Sequence, residues 1–165
     1  MMLFFSMLIA LEVDTIVQKF QQYDFKVDFY ETVYYKNTNI VDTFQGTIKK
    51  VSDKMEMNIT TPYKGKYEIF GDTLLSIVDG DSSFFPLEED ATKLLDFSFL
   101  GDTTSLIIQI EGNRMELKPR GDSWFNYIKL LEKEELPVTL EVDDNEKVTK
   151  FYFNNWRFYE RKTRK

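Results

Sequence analysis

Three short clusters in this chain hold side chains capable of chemistry, and each is explained more simply by local structure. Glu88-Glu89-Asp90 groups three carboxylates, the raw material of a metal site or of acid/base work. They follow Pro86 closely, where acids in a first helical turn offset the helix dipole. Asp79-Gly80-Asp81 opens like a calcium loop, but Ser83, Phe84 and Phe85 stand where further oxygen ligands and a closing Glu are needed, so it reads as a turn. Arg120-Gly121-Asp122 spells an adhesion tripeptide, and a tight turn accounts for its Gly. The 165 residues include no His and no Cys. That removes the commonest general base, the thiol nucleophile, thiolate metal sites, disulfides and every Ser-His or Cys-His arrangement. The glycines are scattered and form no phosphate-binding loop. The expectation is no catalytic residue, no metal, no cofactor and no enzyme.

The elements that must position any remaining function are mostly strands. From Phe25 the apolar period is two: Phe25, Val27, Phe29, Val33 and Tyr35 share a face against Lys26, Asp28, Tyr30 and Thr32. Lys36 to Asn39 supplies a turn, and a second strand runs through Phe44, Gly46 and Ile48, its Gly marking a bulge or tight bend. Met55, Met57 and Ile59 alternate with Glu56, Asn58 and Thr60. Tyr67 and Ile69 follow after Pro62 and Gly65, and Leu74 to Val78 is almost wholly apolar, so it needs cover on both faces. A helix of two to three turns is expected after Asp14, with Ile16, Val17 and Phe20 on one side, and a second over Pro86 to Phe97, with Leu87, Ala91, Leu94 and Leu95 as its stripe. Five further strands are expected over Ser105–Ile110, Met115–Leu117, Trp124–Leu131, Val138–Val142 and Val148–Phe153, and the acidic run Glu132 to Glu135 reads as a solvated strand end. Turns at this spacing, without β-α-β alternation, imply an antiparallel sheet or a partly open barrel.

The bulk numbers fit one domain with a sizeable core. Apolar residues make up 42% and charged residues 30%, the balance of a soluble globular protein. The aromatic share of 16%, with 15 Phe, suits a wide apolar interior or a ring-rich filled core. A net charge of −7 argues against a nucleic-acid partner. Five of the cations lie between Arg157 and Lys165, a solvated tail or a contact for anionic headgroups or an acidic partner. Leu3 to Leu11 is an apolar run about half as long as a spanning helix. It is read as a signal-peptide remnant or an apolar N-terminal segment over residues 1–11, lacking a basic region before it and a clean cleavage site. Residues 12–165 are read as a single domain.

The order of these pieces resembles the LolA family, periplasmic carriers of outer-membrane lipoproteins. Val27-Asp28-Phe29-Tyr30-Glu31-Thr32-Val33 is similar to the family's first-strand signature, and Phe44-Gln45-Gly46-Thr47-Ile48 to its second strand with a central Gly. Lys54 through Pro62 resembles its third strand with the Thr-x-Pro turn, and Gly71-Asp72-Thr73-Leu74-Leu75 resembles its Gly-x-Thr-Leu strand opening. Leu117-Lys118-Pro119 and the strands to Phe153 continue the likeness more loosely. Two positions depart: Val51-Ser52 replaces an Arg-Pro pair, and Leu75 replaces a Trp. The Arg is associated in the family with holding a lid, so closure here is expected to rest on apolar contacts alone.

The resemblance implies a mainly β, α+β fold: a strongly curved antiparallel sheet, an incomplete half-open β-barrel, with short helices covering its concave apolar face. It implies a periplasmic chaperone that binds the acyl chains of lipoproteins and carries them from an inner-membrane releasing transporter to an outer-membrane acceptor, as a monomer. The expected acyl-binding lining is Phe29, Val33, Ile48, Met57, Ile69, Leu75, Ile77, Leu106, Ile108, Met115, Leu117 and Phe151, with Leu94 and Leu95 in the lid and Met55 near the transporter contact. The alternative is a lipid- or lipoprotein-sensing regulatory module of the same half-barrel fold. Such modules are normally followed by another domain and an anchor, whereas this chain ends about a dozen residues after its last expected strand, which favours the carrier.

Overall fold

The computed structural model describes residues 15–87, 93–94, 96–101 and 104–161. The apolar run 1–11, the acids Glu88-Glu89-Asp90 and Leu95 lie outside them. Within this range the chain forms one 11-stranded sheet in the order β6-β5-β4-β3-β2-β1-β11-β10-β9-β8-β7. The strands are β1 (Tyr23–Tyr35), β2 (Ile40–Val51), β3 (Lys54–Thr61), β4 (Gly65–Phe70), β5 (Thr73–Val78), β6 (Asp81–Pro86), β7 (Leu106–Glu111), β8 (Arg114–Pro119), β9 (Phe125–Lys133), β10 (Leu136–Asp144) and β11 (Lys147–Glu160). Every pairing is antiparallel. The first and last strands meet in the middle, through a register running from Tyr23↔Glu160 to Tyr35↔Lys147, so both halves are up-and-down meanders hung from one central pair. β6 and β7 are the two edges, so the sheet is not closed.

Hairpin turns follow from the residues at left-handed φ. Asp79-Gly80 links β5 to β6 with φ of 52° and 88°, the pattern that two-residue hairpins favour because it matches strand twist. Glu134-Glu135 links β9 to β10 with φ of 55° and 60°. Here two side-chain-bearing residues hold a conformation that costs L-residues about 1–2 kcal/mol each. Ser52, at φ 54°, opens the β2–β3 turn, and its N–H donates to the Asp24 carboxylate at 2.8 Å.

Bulges set the curvature, as extra residues do by increasing local twist. Thr60 is the additional residue opposite the Gln45/Gly46 step of β2. Gly46 is required there, because a Cβ on it would stand 1.9 Å from the Asn58 carbonyl oxygen. On β11 the pairing with β1 shifts across Asn155 and Trp156, and Asn155 has φ 56°. That bulge re-aims Trp156 to the apolar side, where its Nε1–H donates to the Pro137 carbonyl at 2.8 Å.

The inward face of the sheet carries one buried apolar cluster, built from Phe25, Val27 and Phe29 on β1, Phe151 and Phe153 on β11, and their cross-strand partners. Residues 15–22 are helical and contribute Ile16, Val17 and Phe20. Phe97, Phe99 and Leu100, around the 3₁₀ turn Ser98–Gly101, join the same cluster. Phe20 and Phe97 lie 4.8 Å apart between ring centres, with Trp156 at 5.2 and 6.0 Å from them. The outward face is laced with ion pairs instead, among them Lys66 with Glu68 at 2.6 Å and with Glu56 at 3.2 Å.

Three expectations change. Residues 81–86 form a strand, where only a turn leading into a helix was expected. An edge strand pairs on one side and needs no apolar alternation, so the exposed Ser82 and Ser83 gave no strand signal. The helix expected over Pro86 to Phe97 begins later than its proline, which ends β6, and only residues 93–94 are described as helical. The last strand continues to Glu160 rather than stopping at Phe153, because the bulge at Asn155 resets the alternation and Trp156 and Phe158 resume it.

Candidate functional site

Antiparallel register decides which side chains share the inward face, since directly paired residues point the same way. Phe29 pairs with Gly46 and Phe153, Val27 with Ile48, and Ile48 with Met57. Met57 pairs with Tyr67, Met55 with Ile69, and Ile69 with Leu74. In the other half, Phe151 pairs with Leu140, Leu130 with Met115, Leu117 with Ile108, and Leu106 with Pro119. A continuous row of apolar pairs therefore crosses the inward wall from one edge of the sheet to the other.

Most residues expected to line an acyl site stand on this wall. Phe29, Ile48, Ile69, Leu106, Met115, Leu117 and Phe151 are buried members of the cluster, and Met57 and Ile108 pack against it half-buried. Val33 is buried on the same face outside the cluster. Leu75 and Ile77 are placed otherwise: they pair with Glu68 and Lys66, on the outward face, and Leu74 is the inward residue of β5. A strand apolar on both faces offers no alternation from which to choose the side, and the register with Ile69 settles it. Met55, expected near a transporter contact, is 4% exposed and belongs to the cluster, and it also borders a cleft with Lys50, Asp53 and Asp96.

Where the inward wall meets the β6–β7 connection, it opens into a cavity of about 340 Å³. Its walls are Leu94, Phe99, Leu106, Pro119, Phe125 and Ile128, and its rim carries Lys93, Arg120, Asp122, Ser123 and Trp124. An apolar floor under a polar, partly aromatic rim is the arrangement of a site for the chain of an amphiphile. Leu94 and Leu106 are the expected site residues that reach it. Phe99, Phe125 and Ile128 were not anticipated, and for the β9 pair a bulge between Asp143 and Asp144 breaks the period that would have joined them.

A polar interruption lies elsewhere on the inward face, toward the far end of β1. Glu31 pairs with Phe44 and Phe151, and its carboxyl is held up to about 7 by burial, opposed by the charge of Lys147. Near it Tyr63 and Tyr67 share a hydrogen bond between hydroxyls at 2.8 Å, and burial with Tyr67 and Glu31 pushes the Tyr63 hydroxyl up to about 12. The Tyr63 phenol is therefore neutral at ordinary pH. Among the described residues no cluster of acids could hold a metal, and no helix is long and apolar enough to cross a membrane.

Val51 is 45% exposed at the end of β2, but the neighbouring Lys50 turns inward. Its Nζ lies 3.5 Å from the Asp96 carboxylate and 3.4 Å from the Phe20 carbonyl oxygen, so a cation ties β2 to both the helical segment 15–22 and the connection entering Phe97.

No family model and no curated protein matches the chain. Among solved structures it is similar to a LolA superfamily protein from Nitrosomonas europaea, at 12% identity over 93% of this chain and 94% of that one, with a TM-score of 0.49. It is similar to the lipoprotein LppX from Mycobacterium tuberculosis at 9% identity, 89% and 92% coverage and a TM-score of 0.49. A putative outer membrane lipoprotein-sorting protein domain from Vibrio parahaemolyticus is similar at 10% identity, 91% and 90% coverage and a TM-score of 0.43.

Proposed function

We propose that this protein binds the acyl chains of lipoproteins on the inward face of its open sheet and carries them through the periplasm, from an inner-membrane releasing transporter to an outer-membrane acceptor. The observation that carries the reading is the apolar inward wall opening into the cavity between Leu94, Leu106 and Phe125 under a polar rim. Each methylene buried there contributes about 0.8 kcal/mol, so several carbons give useful affinity with no directional contact. The order of strand motifs that resembles the lipoprotein carriers supplies the cargo class. In this reading the helical segment 15–22 and the connection holding Leu94 are the cover that moves, and the run 1–11 is the remnant of an export signal.

The test is displacement of an apolar fluorophore, with mass spectrometry of lipid copurifying with the protein. Ile108→Glu places an unpaired carboxyl on the inward wall and is expected to weaken binding at least tenfold. Ile77→Glu, on the outward face beside Lys66, is expected to bind as the wild type does. A folded wild-type protein that binds no fluorophore and carries no lipid would refute the reading in favour of a filled core.

A further inference from the structure

Glu31 stands where the strand pattern calls for an apolar residue. Its neighbours along β1 on the inward face are Phe29 and Val33, and across the ladders Phe44 and Phe151. Among the described residues its carboxyl makes no hydrogen bond and no ion pair within 4 Å. The side chain is half-buried, and a carboxyl desolvated among apolar neighbours in a concave face marks a candidate site for a polar partner. The surroundings say which partner. Aromatic rings present a negative face that attracts cations, and Phe44, Phe151 and Tyr63 are grouped about this position, with Phe44 and Tyr63 6.2 Å apart between ring centres. The hydroxyl pair of Tyr63 and Tyr67 adds acceptor oxygens on the same side. A carboxyl, aromatic faces and phenol oxygens together suit an ammonium group, whose three N–H donors and charge they satisfy at once.

We propose that Glu31, with Tyr63 and Tyr67, is a polar subsite inside the half-barrel that takes the protonated amine of an amine-bearing amphiphile whose chains lie along the apolar wall. The inference rests on the acyl-binding reading and adds to it a preference among headgroups. The titratable groups facing Glu31 are Lys147 from β11, Tyr63 after β3 and Tyr67 from β4, with Asp42 paired to Val33 further along the same face of β2. Burial pushes the Tyr63 hydroxyl up to about 12 and an alkylammonium keeps its proton well above neutrality, so Glu31, held up to about 7, is the group whose charge changes across neutral pH.

The experiment titrates the full chain with dodecylammonium, dodecanol and dodecanoate at pH 8 and at pH 5.5. For the wild type at pH 8, dodecylammonium is expected to bind at least tenfold more tightly than dodecanol, and dodecanoate less tightly than either. At pH 5.5, with Glu31 protonated, the preference for the amine is expected to shrink to less than threefold. Glu31→Gln is expected to show that small preference at both pH values, and Tyr63→Phe to show an intermediate one. An amine preference that survives Glu31→Gln at pH 8 would overturn the subsite, since it would arise from the overall negative charge. Binding of dodecanol without any amine preference would overturn the subsite and leave the acyl-binding reading standing. Binding of none of the three probes would overturn both.

Discussion

Replacing Glu31 by Gln separates the cost of the carboxyl from the shape of the wall. In the folded protein the group titrates near 7, against 4.5 in its ordinary state, with burial as the main cause and Lys147 opposing it. Two and a half pH units at about 1.36 kcal/mol each set a ceiling of about 3.4 kcal/mol, and the residual exposure of the side chain lowers the expected value to about 2 kcal/mol. The sign follows from proton counting. Between pH 4.5 and 7 the folded state binds more protons at this site than the unfolded chain does, so wild-type stability falls as pH rises through this window, and the loss is complete above about pH 7. Glu31→Gln carries no such titration. Urea denaturation of both proteins at half-unit steps from pH 4.5 to pH 8 is expected to show the variant gaining on the wild type by about 2 kcal/mol across the series, most of it between pH 5 and 7. The difference between the two curves cancels the background from the remaining charges. Parallel curves would mean that the carboxyl is solvated or hydrogen-bonded in the folded protein, and the reasoning about an apolar setting would fail.

Three further perturbations test how the sheet and the segments packed against it are held. Gly46→Ala sets a Cβ against the Asn58 carbonyl oxygen, and backbone on both strands must part, so a loss of about 3 kcal/mol in urea denaturation is expected; a loss under 1 kcal/mol would show that the bulge relaxes freely. Glu134→Asn combined with Glu135→Gly relieves two left-handed residues in the β9–β10 turn and is expected to stabilise by about 1–2 kcal/mol, read as a higher urea midpoint, with fluorophore binding unaltered. Lys50→Met removes the tie to Asp96 and to the Phe20 carbonyl, partly buried contacts worth about 1 kcal/mol, so amide exchange of residues 96–101 is expected to quicken about fivefold, and unchanged exchange would place closure in the apolar contacts alone.

Much of the sheet was legible because one-sided burial writes itself into the sequence at period two. Phe25, Val27 and Phe29 opposite Lys26, Asp28 and Tyr30, and Met55, Met57 and Ile59 opposite Glu56, Asn58 and Thr60, admit one reading each. The signal failed where its physical cause was absent. β5 is apolar on both faces, so nothing local distinguishes Leu74 from Leu75, and only pairing with Ile69 does. β6 is an edge with all its residues exposed, and β11 changes parity at Asn155, where a positive φ lets one residue be skipped. These are properties of register, which is a long-range fact.

The same parity rule that located the wall also contained the least expected feature of the site. Counting by twos from Phe25 reaches Glu31 as surely as Phe29 and Val33, so its inward placement could be read from the sequence of β1 alone. What could not be read is what surrounds it. Phe44 follows in β2, but Phe151 arrives from the far end of the chain through the β1–β11 pairing, and Tyr63 reaches the site from beyond Pro62. An acid at a single inward position is ambiguous between an outlier at a mobile strand end and a buried group with a purpose. The choice turns on whether its neighbours are water or rings, and here the central strand pair brings rings from both halves of the chain to the same carboxyl. Above neutral pH the charged carboxyl costs stability that an aliphatic side chain of similar length would spare, a cost that Lys147 offsets in part and that the proposed cationic headgroup offsets further.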